Sequence, residues 1–260
     1  MFNRTIRSWT DLLEALYAES WSPAIQRFRS PFAFRGLSRS TQQLSSSLVR
    51  LADGRADAAR LEMALLRNFR KYAHTEGVHA DSVWDWMALG QHRGLPTRLL
   101  DWTYSPLVAA HFATVQGAAD ADRAVWRLDW KEVHRRFRLP ELALLIQDLE
   151  GIFGGDRPCT PSALFAMPEG SRPFACMLEP PSLDARIVAQ SAAFTLCSEK
   201  RQTFDDFLER HGLGGALTKI VIPAQHAGRI RDQLDLVSVD ERRLFPDLDG
   251  VAAYLKRYYS

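Results

Sequence analysis

Between Gln91 and Ala113 the chain reads QHRGLPTRLLDWTYSPLVAAHFA, and its character changes at Ser105-Pro106. Ahead of that pair, a Gly and a Pro interrupt a run holding His92, Arg93, Arg98, Asp101 and Thr103. A hydroxyl residue followed by Pro signals a helix start. The hydroxyl caps free backbone N–H groups, and Pro at the first helical position has no N–H to leave unbonded. Leu107, Val108, Phe112 and Val115 then supply an apolar helix face, and Leu99 with Leu100 anchor the turn. A polar turn is therefore pressed against the positive end of a helix, where a carboxylate or phosphate is stabilised.

The rest of the chain places this turn between helical and extended segments. Ser8–Ala18 reads as a short helix, and Ala58–Tyr72 as an amphipathic one with Leu61, Leu65, Phe69 and Tyr72 at helical spacing. SVWDWMALGQH reads as a further helix ending near Gly90. SPFAFRGLS alternates, with Phe32 and Phe34 on one face, and ends in Gly36, the pattern of a strand that turns. RAVWRLDW, ARIVAQSAAFTLCS and LTKIVIP are strand signals, the first placing Ala124, Trp126 and Leu128 on one face. A loop-rich insertion around 131–181 is expected to hold one short helix, Pro140–Glu150, and the chain to close with helices at Ala227–Leu236 and from Asp249. This order, a largely helical N-terminal half followed by interspersed strands and helices, predicts an α+β fold with a mixed sheet core, in one domain over 1–260.

Composition removes several classes. There is no Gly-rich dinucleotide fingerprint, no phosphate loop with its lysine and no G-x-S-x-G nucleophile turn. Cys159, Cys176 and Cys197 form no C-x-x-C pair, which suggests free thiols in a reducing cytoplasm. None of the seven His forms an i, i+4 pair, so no metal site is expected. No run approaches the roughly 18 apolar residues of a membrane span. The formal net charge is only +2, so nucleic-acid binding needs a local patch, for which HRRFR at 134–138 is a candidate.

Three polar groups are candidates for chemistry. Arg35 lies on the strand face opposite Phe32 and Phe34, where an inward guanidinium needs a carboxylate or a bound anion; an outward one is an ordinary edge residue. Thr97, Arg98, Asp101, Trp102 and Thr103 offer donors, a carboxylate and a flat ring. The same residues serve structure alone if Arg98 pairs with Asp101 and Trp102 is core. Arg186, Val188 and Gln190 share one face of the expected strand, and a Gln offers a ligand both a donor and an acceptor. His92 suits either a general base or a helix C-terminal cap.

FAFRGLS, ALGQHRGLPTRLLDWTYSPLVAAHFA, RIVAQSAAF, KIVIP and RRLFPDLDG occur in that order, and together they resemble the FRG domain, a bacterial and phage-associated family named for its Phe-Arg-Gly motif. Here the motif is Phe34-Arg35-Gly36, and the resemblance runs from about Ser30 to the C-terminus. Where the family carries a Gly two residues after its strand Gln, this chain has Ala192. A more distant resemblance is to NAD-dependent ADP-ribosyltransferases, whose three separated elements match Arg35, Thr97–Thr103 and Gln190 in order. That resemblance implies an ADP-ribosyltransferase-like fold and NAD as co-substrate. It implies Arg35 and Gly36 at the diphosphate or ribose side, and Thr97, Arg98 and Thr103 around nicotinamide with Trp102 as a stacking wall. Catalysis would fall to Arg35, His92, Asp101 and Gln190, with Asp101 supplying the charge that a Gln in the third position lacks. The implied role is a toxin or phage-defence effector acting on a nucleic-acid or protein acceptor. The alternative is a non-catalytic module that binds a nucleotide or nucleic acid in the same cleft.

Overall fold

The alternation at FAFRGL produces a strand whose two faces enter two different cores. Phe32 and Phe34 face one, Ala33 the other, and burial of the fully enclosed Phe34 stabilises the fold by roughly 2–3 kcal/mol. The structure, a computed structural model, describes residues 2–52, 58–73, 82–115, 117–118, 120–145, 148–154, 173–180, 185–199 and 202–260.

Along the chain the strands are β1 (Phe2–Thr5), β2 (Trp21–Ser22), β3 (Arg27–Phe28), β4 (Phe32–Leu37), β5 (Leu100–Thr103), β6 (Arg123–Asp129), β7 (Leu144–Leu145), β8 (Ala175–Glu179), β9 (Ala192–Cys197) and β10 (Leu217–Ile222). The α-helices are α1 (Trp9–Tyr17), α2 (Ser47–Ala52), α3 (Ala58–Ala73), α4 (Val83–His92), α5 (Pro106–Thr114), α6 (Trp130–Phe137), α7 (Ala185–Ala189), α8 (Phe204–Arg210), α9 (Ala224–Leu236), α10 (Glu241–Leu244) and α11 (Leu248–Tyr258). Eight strands form one mixed sheet in the order β1-β10-β6-β4-β5-β9-β8-β7, and β2 with β3 forms a separate hairpin. The edge pairs β1–β10 and β7–β8 are parallel and the interior pairs antiparallel, an α+β architecture.

Both faces of the sheet are covered, and strand parity assigns side chains to each. In β6, Trp126 and Leu128 join a core with Trp84, Met87, Val133 and Phe207 from α4, α6 and α8. Val125 joins Leu12, Ala109, Ile220 and Ile230 on the opposite face, beneath α1, α5 and α9. The helix starts follow local capping chemistry. Ser105 accepts from Val108 N with Pro106 at the first turn of α5, and Ser82 and Asp85 form a reciprocal capping box on α4.

Several expectations are corrected. Residues 185–189 are helical, not extended: Gln190 N bonds Arg186 O, and Ser191 at φ 48° ends the turn before β9 begins at Ala192. Arg186, Val188 and Gln190 therefore do not share a strand face. The expected helix at Pro140–Glu150 is not formed over its first half, because Leu144 and Leu145 pair with Leu178 and Glu179 on the edge of the sheet; Asp148 and Leu149 are helical, and a π turn follows at Glu150–Gly154. Tertiary pairing overrides local helical preference there. Most of the rest of the insertion, with Cys159, lies outside the described residues; Cys176 and Cys197 are free thiols. The face of α5 is also rotated from expectation. Its buried residues are Pro106, Val108, Ala109, Ala110, His111 and Ala113, leaving Phe112 half-buried.

HRRFR is the end of α6 and its cap, with Arg135, Arg136 and Arg138 exposed. His134 and Phe137 are buried, Arg135 pairs with Glu132 at 3.1 Å, and Arg138 closes the helix in the left-handed region. Among the described residues no helix is long and apolar enough to cross a membrane.

Candidate functional site

The sheet parts between β4 and β5. β4 pairs with β6 along all of Phe32–Leu37, and β5 pairs with β9 along all of Leu100–Thr103. The two strands share one register pair, Phe34↔Thr103. Past that pair a cavity of about 850 Å³ is bordered by Arg35 and Gly36 on one side and Asp101 to Thr103 on the other. Arg35 crosses the gap: its Nη1 donates to Asp101 O at 2.6 Å and to Asp101 Oδ2 at 3.4 Å. A side chain thus occupies the backbone carbonyl where a neighbouring strand would have donated.

Asp101 is held from its other side by α4. Gln91 Nε2 donates to Oδ1 at 2.8 Å and Oδ2 at 2.9 Å. Gln91 Oε1 in turn accepts from the fully buried Thr97 hydroxyl at 2.5 Å, which fixes the orientation of the amide. The carboxylate is half-exposed, whereas the Arg35 side chain is largely enclosed. Burial pulls the Arg35 pKa below its ordinary value, Asp101 opposes that, and the neighbouring Arg50 guanidinium adds to it. Arg35 stays charged. Its buried Nε–H has no hydrogen-bond acceptor among the described residues, an orphan donor that costs about 1–3 kcal/mol unless a ligand meets it.

The far wall comes from segments distant in sequence. Phe112 of α5 and Phe245, just after α10, meet edge-to-face with centroids 6.2 Å apart, and the Arg186 guanidinium lies 4.6 Å from the Phe245 ring centre. Gln190 joins this wall to the sheet. Its backbone carbonyl accepts from Thr103 Oγ1 at 2.7 Å, and its side-chain amide donates to Leu244 O at 3.0 Å. The lining includes Arg35, Arg50, Arg186 and Asp101, so its charge is net positive.

Of the residues singled out from sequence, Arg35, Gly36, His92, Asp101, Trp102, Thr103 and Gln190 border this cavity; Thr97 and Arg98 do not. Trp102 is not a stacking wall. Its ring is buried, packs edge-on against Phe204 and donates from Nε1 to Thr195 Oγ1 at 2.9 Å. The Cα register explains this, because Trp102 pairs with Ala193 and shares the core face. Arg98 does not pair with Asp101 and does not reach the cavity. It grips the fully buried Glu62, with Nε to Oε2 at 2.9 Å and its own backbone N to Oε1 at 3.0 Å. Burial raises the Glu62 pKa even with Arg98 beside it. Thr97 is the relay behind Gln91. Residues passed over in sequence are Gln91, Arg50, Phe112 and Phe245, with Arg186 placed on the wrong element. Arg50 and the aromatic pair had no local signal, but Gln91 heads the same motif as Asp101. Among the described residues, no group of three or more His, Cys, Asp or Glu side chains is placed to hold a metal ion.

A model of the FRG domain matches residues 30–122. The chain carries an FRG domain. No curated protein and no solved structure matches the chain. The matched FRG segment contains β4, α4, the polar turn and α5, hence the Arg35 side of the cavity and its floor. It ends before α7 and Phe245, which complete the far wall.

The three letters of the FRG motif have three separate jobs here. Phe34 fills the core beneath α5, and Arg35 enters the cavity. Gly36 lets α5 lie against β4: a Cβ at this position would sit 2.0 Å from Ala109 O and 2.5 Å from Ala113 N. Gly36 contributes only backbone to the cavity, and its identity is set by packing.

Proposed function

We propose that the cavity binds NAD and that the protein is an ADP-ribosyltransferase-like enzyme acting on a nucleic-acid or protein acceptor, in keeping with a toxin or phage-defence role. The observation that carries this reading is the Arg35–Asp101 pair at the mouth of the parted strands, with one buried guanidinium donor still lacking an acceptor. A volume of about 850 Å³ suits a dinucleotide-sized ligand, since small-molecule sites span roughly 300–1,000 Å³. The reading takes 1–260 as one FRG-type domain, supported by the Gln190–Leu244 bond, which ties the C-terminal segment to the cavity.

In ADP-ribosyl transfer the bond between ribose C1′ and the nicotinamide nitrogen breaks, and its electron pair leaves with nicotinamide. The acceptor's oxygen or nitrogen then bonds C1′ and gives up a proton. Arg35 would hold diphosphate oxygens with charge-assisted bonds. Asp101, kept oriented by Gln91 and Thr97, would face the positive charge developing on the sugar. His92, at the end of α4 and on the cavity wall, would take the acceptor's proton. Gln190 has no charge to offer, and its amide is engaged with Leu244.

That last point favours a second reading, in which the cavity binds a nucleotide or nucleic acid without chemistry. Incubation with labelled NAD and cell extract separates the two. Transfer of label or release of nicotinamide that is lost in both Arg35→Ala and Asp101→Asn supports the enzyme. Tight NAD binding by calorimetry with no turnover supports the module. Turnover unchanged in both variants rejects this site altogether.

A further inference from the structure

We infer that the cavity is polar along its length: the Arg35–Arg50 end seats phosphate oxygens, and the Phe112–Phe245–Arg186 end seats the planar ring of a nucleotide. This deepens the reading above and rests on it for the location of the ligand.

The two ends are distinct because a second cavity, of about 720 Å³, lies behind only one of them. Phe112, Arg186 and Phe245 border both cavities, whereas Arg35 and Arg50 border only the first. At the phosphate end, Arg50 on α2 is close enough to Arg35 to depress its pKa. Two guanidiniums held within each other's field repel, and an anion between them relieves the repulsion. The buried Nε–H of Arg35 adds a donor in want of an acceptor.

At the other end, two half-buried rings meet at 86° and a guanidinium lies over one of them. Ring and guanidinium planes left partly open to a cavity are a stacking platform for a base, tolerant of which base it is. The backbone here is pinned, because Gln190 bonds the carbonyl of Leu244, the residue before Phe245. The platform is therefore set before a ligand arrives.

Calorimetry with inorganic pyrophosphate, adenosine, ADP and nicotinamide mononucleotide tests the arrangement. The wild-type protein should bind ADP or nicotinamide mononucleotide more tightly than pyrophosphate or adenosine. Phe245→Leu should weaken the preferred nucleotide by about tenfold while leaving pyrophosphate within about twofold. Whichever nucleotide loses affinity names the ring. Phe112→Leu, acting on the other member of the pair, should move the same ligand in the same direction. Arg50→Ala should weaken pyrophosphate and the nucleotide together, by about tenfold, and leave adenosine unchanged. The inference is overturned if none of the four ligands binds. It is also overturned if pyrophosphate suffers as much as the nucleotide from Phe245→Leu, or if neither aromatic substitution changes nucleotide affinity. Intact subsite behaviour without NAD turnover would remove the transferase reading and leave the polarity standing.

Discussion

Replacing Gly36 with Ala adds one carbon at the point where β4 passes closest to α5. On the existing backbone that carbon would lie 2.0 Å from Ala109 O, 2.5 Å from Ala113 N and 3.0 Å from Ala109 C. All three are backbone atoms, so no side-chain rotation relieves the contact. Non-bonded atoms settle at about 3.5–4.0 Å, so strand and helix would have to separate by roughly 1 Å or more. Overpacked cores typically lose about 1–3 kcal/mol, and a clash with helix backbone alone belongs at the upper end, about 3 kcal/mol. At about 2–4 °C per kcal/mol for a chain of this size, the melting temperature should fall by about 6–12 °C. Urea denaturation at constant slope measures the loss directly. Arg35→Lys, whose change faces the cavity, should cost less than Gly36→Ala. A Gly36→Ala loss below about 1 kcal/mol would refute the packing explanation for the motif's glycine.

Three further outcomes follow, two from buried polar groups and one from a left-handed backbone position. His111 is fully buried, its Nδ1 accepts from Arg231 Nη1 at 2.6 Å, and burial together with Arg231 pushes its pKa down to about 4. The unfolded chain, near the ordinary 6.5, takes up the proton first, so stability is full above about pH 6.5 and falls as pH drops toward 4, by about 3 kcal/mol from this residue. Burial likewise lowers the pKa of His134, whose Nε2 accepts from Met177 N at 2.8 Å, which adds to the same acid-side loss. Urea titrations from pH 7 to pH 4.5 should show this slope, and His111→Gln should flatten it. Glu62→Ala removes the fully buried carboxylate that Arg98 grips and should cost roughly 3–5 kcal/mol by denaturant unfolding, as removal of one partner of a buried pair does. Ser191→Gly removes a side chain from a left-handed position at φ 48° and should raise stability by roughly 0.5–1 kcal/mol in the same assay.

Features set by neighbouring residues were legible in the sequence, and those set by distant partners were not. The Ser105-Pro106 start of α5 and the alternation of β4 depend on a few adjacent residues, and both appear where their patterns place them. β1 and β7, of four and two residues, exist because an edge strand accepts them, and no local pattern that short announces a strand. The polar turn shows both cases. Its crowding comes largely from Arg98 reaching 36 positions back to Glu62, a carboxylate that looked like one more charge on an amphipathic helix. Trp102 and Phe112 exchanged roles for the same reason. Which face of β5 is buried depends on its register with β9, and the alanines of α5, not its larger residues, pack against β4. The Arg35–Asp101 contact joins residues 66 positions apart, and only the parting of two strands makes it possible.

A crystal structure at saturating NAD tests the central claim most directly. The account predicts diphosphate oxygens on Arg35 and Arg50, one planar ring against Phe245, and the nicotinamide ribose facing Asp101. A cavity left empty while Arg35 stays on the Asp101 carbonyl, or NAD seated elsewhere on the protein, would contradict it.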